Sequence, residues 1–380
     1  MRTWFLIALL PLTAGADDLF RGRILDDVKC AADSSQSYAL YLPSNYSPDR
    51  DWSLILGLDP RARGRTAVER YQVAAETYGY IVAGSNNSSN GSWEKSMLAV
   101  QAMAADVTAR FRIDEKRVYT AGLSGGARVA LGVALGTDRI AGVIASSAGY
   151  PDSKPRKSVP FAVFGTAGTE DFNYLELHQL DRALMTPHHL AIFEGGHTWL
   201  SSELAVEAIE WMEIQAMKSG RRIRDQAFIE KNFAARLARA EALTNEKDAY
   251  LALAAIALDF AGLRDVSTLA ARETELRQRK TVKAGIKKDL TDEQREERLM
   301  HELGAAESGL ADADNRVQSL AELRNLFADL SKKANAANDS GERRLARRVL
   351  RGAVVSSAEV SKDPEYRKLI EKYRLPGRGF

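Results

Sequence analysis

Residues 117–128 join a β-branched and aromatic run, Val118-Tyr119-Thr120, to Gly122-Leu123-Ser124-Gly125-Gly126, and pass without a spacer into Ala127-Arg128-Val129-Ala130-Leu131. A Gly-x-Ser-x-Gly set between a strand and a helix predicts a turn so sharp that the serine takes a strained backbone, with small residues required two before and two after it. Gly122 and Gly126 meet that requirement. The strain lifts the Ser124 hydroxyl above the sheet edge, and the first amides of the following helix face any negative charge that develops there. The chemistry implied is nucleophilic attack on a carbonyl.

A serine hydroxyl is a weak nucleophile near neutral pH, so it needs a base within hydrogen-bond reach and an acid group to orient that base. The chain has five histidines. His197, in Phe193-Glu194-Gly195-Gly196-His197-Thr198-Trp199, follows the last expected strand and precedes the closing helix, where a base can swing over the sheet edge. His188 and His189 enter that strand from its other end, His178 lies in a polar helical segment, and His301 is distant in the chain. The acid is expected from the loop after the strand Phe161–Phe164, which reads Gly165-Thr166-Ala167-Gly168-Thr169-Glu170-Asp171-Phe172. Asp171 is the preferred candidate and Glu170 its rival. An oxyanion needs two backbone donors. Gly125, after the nucleophile, is one, and the loop Leu58-Asp59-Pro60-Arg61-Ala62 supplies the other. Proline has no N–H, so Arg61 is expected to donate, with Ala62 next. Residues 86–93 are expected to form one rim, with Trp93 and Trp199 as apolar substrate-binding surface or, alternatively, as core residues.

The elements that must position these groups are readable over residues 37–217. Short apolar runs are expected as strands at 38–42, 53–58, 80–83, 118–121, 142–146, 161–164 and 189–193, alternating with helices at 66–77, 95–111, 127–135 and 203–217. Several strands are continuously apolar, as parallel strands covered on both faces are. The fold class expected is α/β, a mostly parallel sheet with helices on both faces, followed by an all-α C-terminal domain. After Gly220, Ala, Leu, Arg, Glu and Lys at helical spacing take over. Tyr250, Leu253, Ala254, Ala257 and Leu258 form one expected stripe, and Leu320, Leu323, Phe327 and Leu330 another. Thr291-Asp292-Glu293-Gln294 fits a capping box and predicts a helix start, while residues 335–340 and Pro364 read as breaks. The domain is expected to be an irregular bundle or tetratricopeptide-like hairpins.

The 380 residues carry a net charge of +2, without the concentrated basic surplus that nucleic-acid binding requires. A basic start, a short apolar run over 4–12 and Ala14-Gly15-Ala16 predict a cleavable secretory signal over 1–16, since the run is too short to span a bilayer. The domain boundaries that follow are 17–218 for the α/β unit and 219–380 for the helical one. No later run is long and apolar enough for a span, so the mature chain is expected in the periplasm or outside the cell. The single cysteine, Cys30, excludes an internal disulfide and a cysteine-based zinc site.

Taken together, Tyr38-Ala39-Leu40-Tyr41-Leu42-Pro43, Arg117-Val118-Tyr119 before Gly122-Leu123-Ser124-Gly125-Gly126, the Asp171 loop and Gly195-Gly196-His197-Thr198-Trp199 resemble secreted α/β-hydrolase esterases of the polyhydroxyalkanoate-depolymerase and feruloyl-esterase type. The order Ser124, Asp171, His197 is the order of that fold. The chain departs from the family in carrying Asp59-Pro60 where His-Gly is usual. The resemblance covers roughly the first 218 residues. It implies hydrolysis of a carboxylic ester through an acyl-serine intermediate, with a small-molecule or polymer-end ester as substrate and no metal or organic cofactor. With no long insertion to form a lid, the site is expected to be open. The helical domain is a candidate surface for a protein partner. A peptidase with the same triad, and a non-catalytic binding protein using the helical domain, are the alternatives.

Overall fold

The computed structural model describes residues 21–360 and 363–375. Eight strands form one sheet: β1 (Ile24–Lys29), β2 (Ser37–Tyr41), β3 (Trp52–Leu58), β4 (Tyr80–Ser85), β5 (Ile113–Leu123), β6 (Gly142–Ser146), β7 (Ala162–Gly168) and β8 (His188–Phe193). Their spatial order is β1-β2-β4-β3-β5-β6-β7-β8. The first two pairings, β1 with β2 and β2 with β4, are antiparallel, and every pairing from β4 to β8 is parallel. This is the expected α/β sheet. Every residue of β3, β4, β6 and β7 is buried, which is why those runs read as continuously apolar.

Helices cover both faces. On one face α1 (Gly64–Tyr78) and α5 (Ser202–Lys218) bury Ala67, Val68, Tyr71, Ala205, Ile209 and Met212 against Ile55, Val82 and Phe164. On the other, α2 (Trp93–Arg110), α3 (Gly125–Leu135) and α4 (Tyr174–Ala183) bury Val100, Met103, Ala130, Leu131 and Leu180 against Leu54, Leu56 and Val143. Cys30 lies in this second layer and is 2% exposed. The antiparallel edge strand β1 was not expected; its half-buried and exposed residues carry none of the continuous apolar signal of its neighbours.

Beyond α5 the described residues form helices only: α6 (Gln226–Glu241), α7 (Glu246–Phe260), α8 (Ser267–Gln278), α9 (Lys280–Gly309), α10 (Arg316–Ala334), α11 (Gly341–Val360) and α12 (Pro364–Tyr373). The expected breaks are there: α10 ends before 335–340, and Pro364 takes the first turn of α12 under an Asp363 side-chain cap. Two expectations need correction. Thr291 does not start a helix; it sits inside the 30-residue α9, where its hydroxyl donates to the Lys287 carbonyl one turn back. In α7 the buried apolar positions are Leu253, Ile256 and Phe260, while Leu258 is exposed, so the apolar stripe is rotated from the one expected. The stripe Leu320, Leu323, Phe327 and Leu330 is buried in a separate core with Leu345, Val349 and Tyr366. Among the described residues no helix is long and apolar enough to cross a membrane. The expected signal over 1–16 lies outside them.

Candidate active site

Ser124 stands between β5 and α3 with φ 54° and ψ −122°, a backbone conformation costly for any residue with a Cβ. Close approach enforces the small neighbours. A Cβ on Gly122 would run into the Gly126 backbone, and one on Gly126 into the Leu58 carbonyl at the end of β3. The Ser124 N–H donates to the Ser146 carbonyl at the end of β6 (2.8 Å), and the Ser124 carbonyl accepts from Ala127 and Arg128, starting the helix. Gly125 occupies the first position of α3, where an N–H has no intrahelical acceptor.

Asp171 and His197 come from the loops after β7 and β8, on the same sheet edge. Asp171 Oδ1 lies 2.8 Å from His197 Nδ1, with the two side chains 0% and 5% exposed. The same oxygen accepts from the Asn173 N–H at 2.9 Å, which orients the carboxylate. Glu170, the rival acid, turns away: its carboxylate meets Arg347 and Arg351, each at 2.7 Å. Phe172 stacks on the His197 ring, centroids 4.1 Å apart and planes 14° from parallel. The two loops are tied by backbone bonds, Thr169 N–H to Phe193 O (2.8 Å) and Glu170 N–H to Gly195 O (2.7 Å).

Three further residues, Ser147, Asn173 and Asp59, tie these loops to one another and to the sheet edge that carries Ser124. Ser147, next to the residue that accepts the Ser124 N–H, has φ 60° and donates its hydroxyl to the Thr198 carbonyl at 3.1 Å. Its own carbonyl accepts from the Asn173 side chain at 2.7 Å. The turn after β6 thereby contacts the Asp171 loop and the His197 loop at once. The third is Asp59, wholly buried at the end of β3. It accepts from the Arg61 N–H, from Arg63 Nε and Nη2, and from Trp199 Nε1, all at 2.9 Å. Burial alone would raise its carboxyl, but the Arg63 and Trp199 side chains and the Arg61 amide outweigh burial and hold it below the usual carboxylate range. A charged residue directly after a fully apolar strand was the available signal.

Asp59 also corrects two expectations. The Arg61 N–H, expected as the second oxyanion donor, is engaged by the Asp59 carboxylate, and the Ala62 N–H by the Asp59 carbonyl (3.1 Å). Trp199 is not a substrate-facing surface: it is 5% exposed, packs edge-on against Tyr71 and gives its indole N–H to Asp59. Trp93 is 45% exposed at the start of α2, with its ring against Gly132 of α3. Within the 86–93 rim, the Asn90 N–H donates to the Pro60 carbonyl and its side-chain amide packs on Gly125. Of the other histidines, His188 and His189 lie on β8, His178 on α4 and His301 on α9, none of them in the loops that hold Ser124, Asp171 or His197. No cluster of His, Cys, Asp and Glu that could hold a metal ion occurs among the described residues.

No family model matches the chain, and no curated protein matches it. Among solved structures, it is similar to a thermostable esterase at 21% identity, over 51% of this chain and 64% of that one, with a TM-score of 0.40. It is similar also to a feruloyl esterase module from Clostridium thermocellum complexed with sinapinate (13% identity, 47% of this chain, 82% of that chain, TM-score 0.38). A third is a Mycobacterium tuberculosis puromycin-hydrolysing peptidase (13% identity, 48% of this chain, 37% of that chain, TM-score 0.39). At these values the functional reading rests on the geometry of this chain's own residues.

Proposed function

We propose that the chain is a serine hydrolase that cleaves carboxylic esters through an acyl-serine intermediate, with Ser124 as nucleophile, His197 as base and Asp171 as orienting acid. The observation that carries the reading is the buried 2.8 Å pairing of Asp171 with His197 on the sheet edge where Ser124 holds a strained elbow. His197 Nε2 takes the hydroxyl proton as Ser124 Oγ bonds to the ester carbonyl carbon. Asp171 stabilises the resulting imidazolium. The Gly125 N–H, at the positive end of α3, faces the oxyanion. When the tetrahedral intermediate collapses, the bond to the leaving oxygen breaks and His197 returns its proton to the alcohol. His197 then takes a proton from water, whose oxygen attacks the acyl carbon, and gives it back to Ser124 as the carboxylic acid leaves.

The test is labelling by a fluorophosphonate, which reacts with an activated serine. The intact protein should label and Ser124→Ala should not; equal labelling of both, or of neither, removes the proposal. A panel of short-chain aryl esters and aminoacyl anilides then separates ester from amide cleavage. Turnover confined to the anilides would replace esterase by peptidase. Export forms part of the same proposal, and amino-terminal sequencing of the protein recovered outside the cytoplasm should begin after Ala16.

A further inference from the structure

Resting on the proposed triad, we infer that helix α11 of the C-terminal domain is a positioning element of the active site, acting through Arg347, Arg348 and Arg351 on the loop that aims Asp171 at His197. These side chains, with Arg344, are spaced three, four and seven residues apart and so share one face of the helix. Arg347 Nη1 and Arg351 Nη1 each reach one oxygen of Glu170 at 2.7 Å, and Arg351 also donates to the Glu170 carbonyl at 3.2 Å. Arg348, only 8% exposed, donates to the Thr169 carbonyl at 2.8 Å, pairs with Glu296 of α9 and lies over the Tyr174 ring. The histidine loop is held by the same face: Arg344 pairs with Glu194 at 3.1 Å, and the Arg351 guanidinium lies against Gly196. Gly352 sits against Phe172, whose ring stacks on His197.

The loop being held is short and exacting. Glu170 is bonded directly to Asp171 and Thr169 stands one residue further back, so both residues gripped by α11 lie within two positions of the acid. Neither touches His197 directly through the contacts described, so their effect on the reaction passes through Asp171 and through the histidine loop that their amides bond. Displacing a catalytic group by about 1 Å typically costs on the order of 10²-fold in rate. A loop with two carbonyls and a carboxylate fixed by three guanidinium groups is held in the way such a group needs. The expected open rim is thus bordered on the acid side by the helical domain, and the domain that sequence reasoning left to partner binding belongs to the catalytic unit.

Two full-length variants, Arg351→Ala and Glu170→Gln, test this by cutting one ion pair from opposite sides. One removes a cation near His197 and the other an anion. A purely through-space influence therefore displaces the acidic limb of the pH profile of kcat/KM in opposite directions and leaves the plateau kcat intact. Positioning predicts the same sign for both: plateau kcat falls about 10- to 100-fold, KM for a small aryl ester stays within about threefold, the double variant is no worse than either single one, and Arg351→Lys recovers part of the loss. Wild-type plateau kcat in both variants overturns the inference, as does opposite displacement of the limbs alone. Should Arg351→Ala fail to fold, the near-isosteric Glu170→Gln decides by the same plateau. Fluorophosphonate labelling of the unmodified protein, lost in Ser124→Ala, is measured in parallel. Its absence defeats the hydrolase reading itself, whereas its presence with unchanged variant kinetics defeats only the role of α11.

Discussion

Asp59 and Trp199, 140 positions apart, share a buried hydrogen bond of 2.9 Å that fastens the loop after β3 to the residue two beyond His197. Trp199→Phe keeps the ring contact with Tyr71 but deletes that donor. A hydrogen bond to a charged group contributes about 1.5–3 kcal/mol, and an unpaired buried carboxylate lone pair adds to the loss. Denaturant unfolding of the variant should show a decrease in this range. KM for aryl esters should change little, because the indole faces the core; a large rise in KM with unchanged stability would restore Trp199 to the substrate surface.

The Asp59 carboxyl is held below its ordinary value in the folded chain, so it binds its proton less readily there than in the unfolded chain. Its contribution to stability is full above the unfolded value of about 3.9 and disappears as pH falls through the lower folded value. Asp59→Asn should therefore be markedly less stable than the wild type at pH 7. The gap between their melting temperatures should close as the medium becomes more acidic than pH 4. A gap that is constant with pH would show that the charge of Asp59 is not what binds its donors.

His189 stacks on Phe164 at 5.0 Å, and burial pushes its imidazole down to about 4. The unfolded chain takes up this proton near pH 6.5. Stability from His189 is thus present above about 6.5 and lost progressively as pH falls through 4. Replacement by Gln should remove this component and flatten the melting-temperature profile between pH 6.5 and 4. In the wild type, its ring resonances should not titrate in that window above pH 5.

Within the proposed triad the members should differ in cost. Ser124→Ala or His197→Ala is expected to lower kcat by about 10⁶, and Asp171→Asn by about 10⁴, because the asparagine can still hold the ring but favours the wrong tautomer. Single-turnover kinetics with an activated ester measure all three. Comparable losses in Glu170→Gln and Asp171→Asn would mean that the carboxylate paired with His197 has been misidentified.

The parallel strands were legible because burial on both faces selects mostly apolar residues, and the elbow because close backbone approach admits only glycine at 122 and 126, two residues to either side of Ser124. Asp171 could be separated from Glu170 only in three dimensions, since the choice depends on which carboxylate the turn after Gly168 presents to His197 and which to Arg347 and Arg351. The oxyanion loop misled for a similar reason. An Asp can bond the amide two residues on, but the burial that fixes Asp59 on the Arg61 amide also needs Trp199, 140 positions away. Arg347, Arg348 and Arg351 raised no expectation, because charged side chains at helical spacing look alike whether they face water or a neighbouring domain.

Cys30 is the single thiol of the chain, packed in the layer beneath α2 with burial pushing its sulfhydryl up. An alkylating reagent can meet it only when the β1–β2 border parts from that layer. The rate at which the intact protein takes up such a reagent therefore times the opening of that border in an otherwise unmodified molecule, with no engineered reporter.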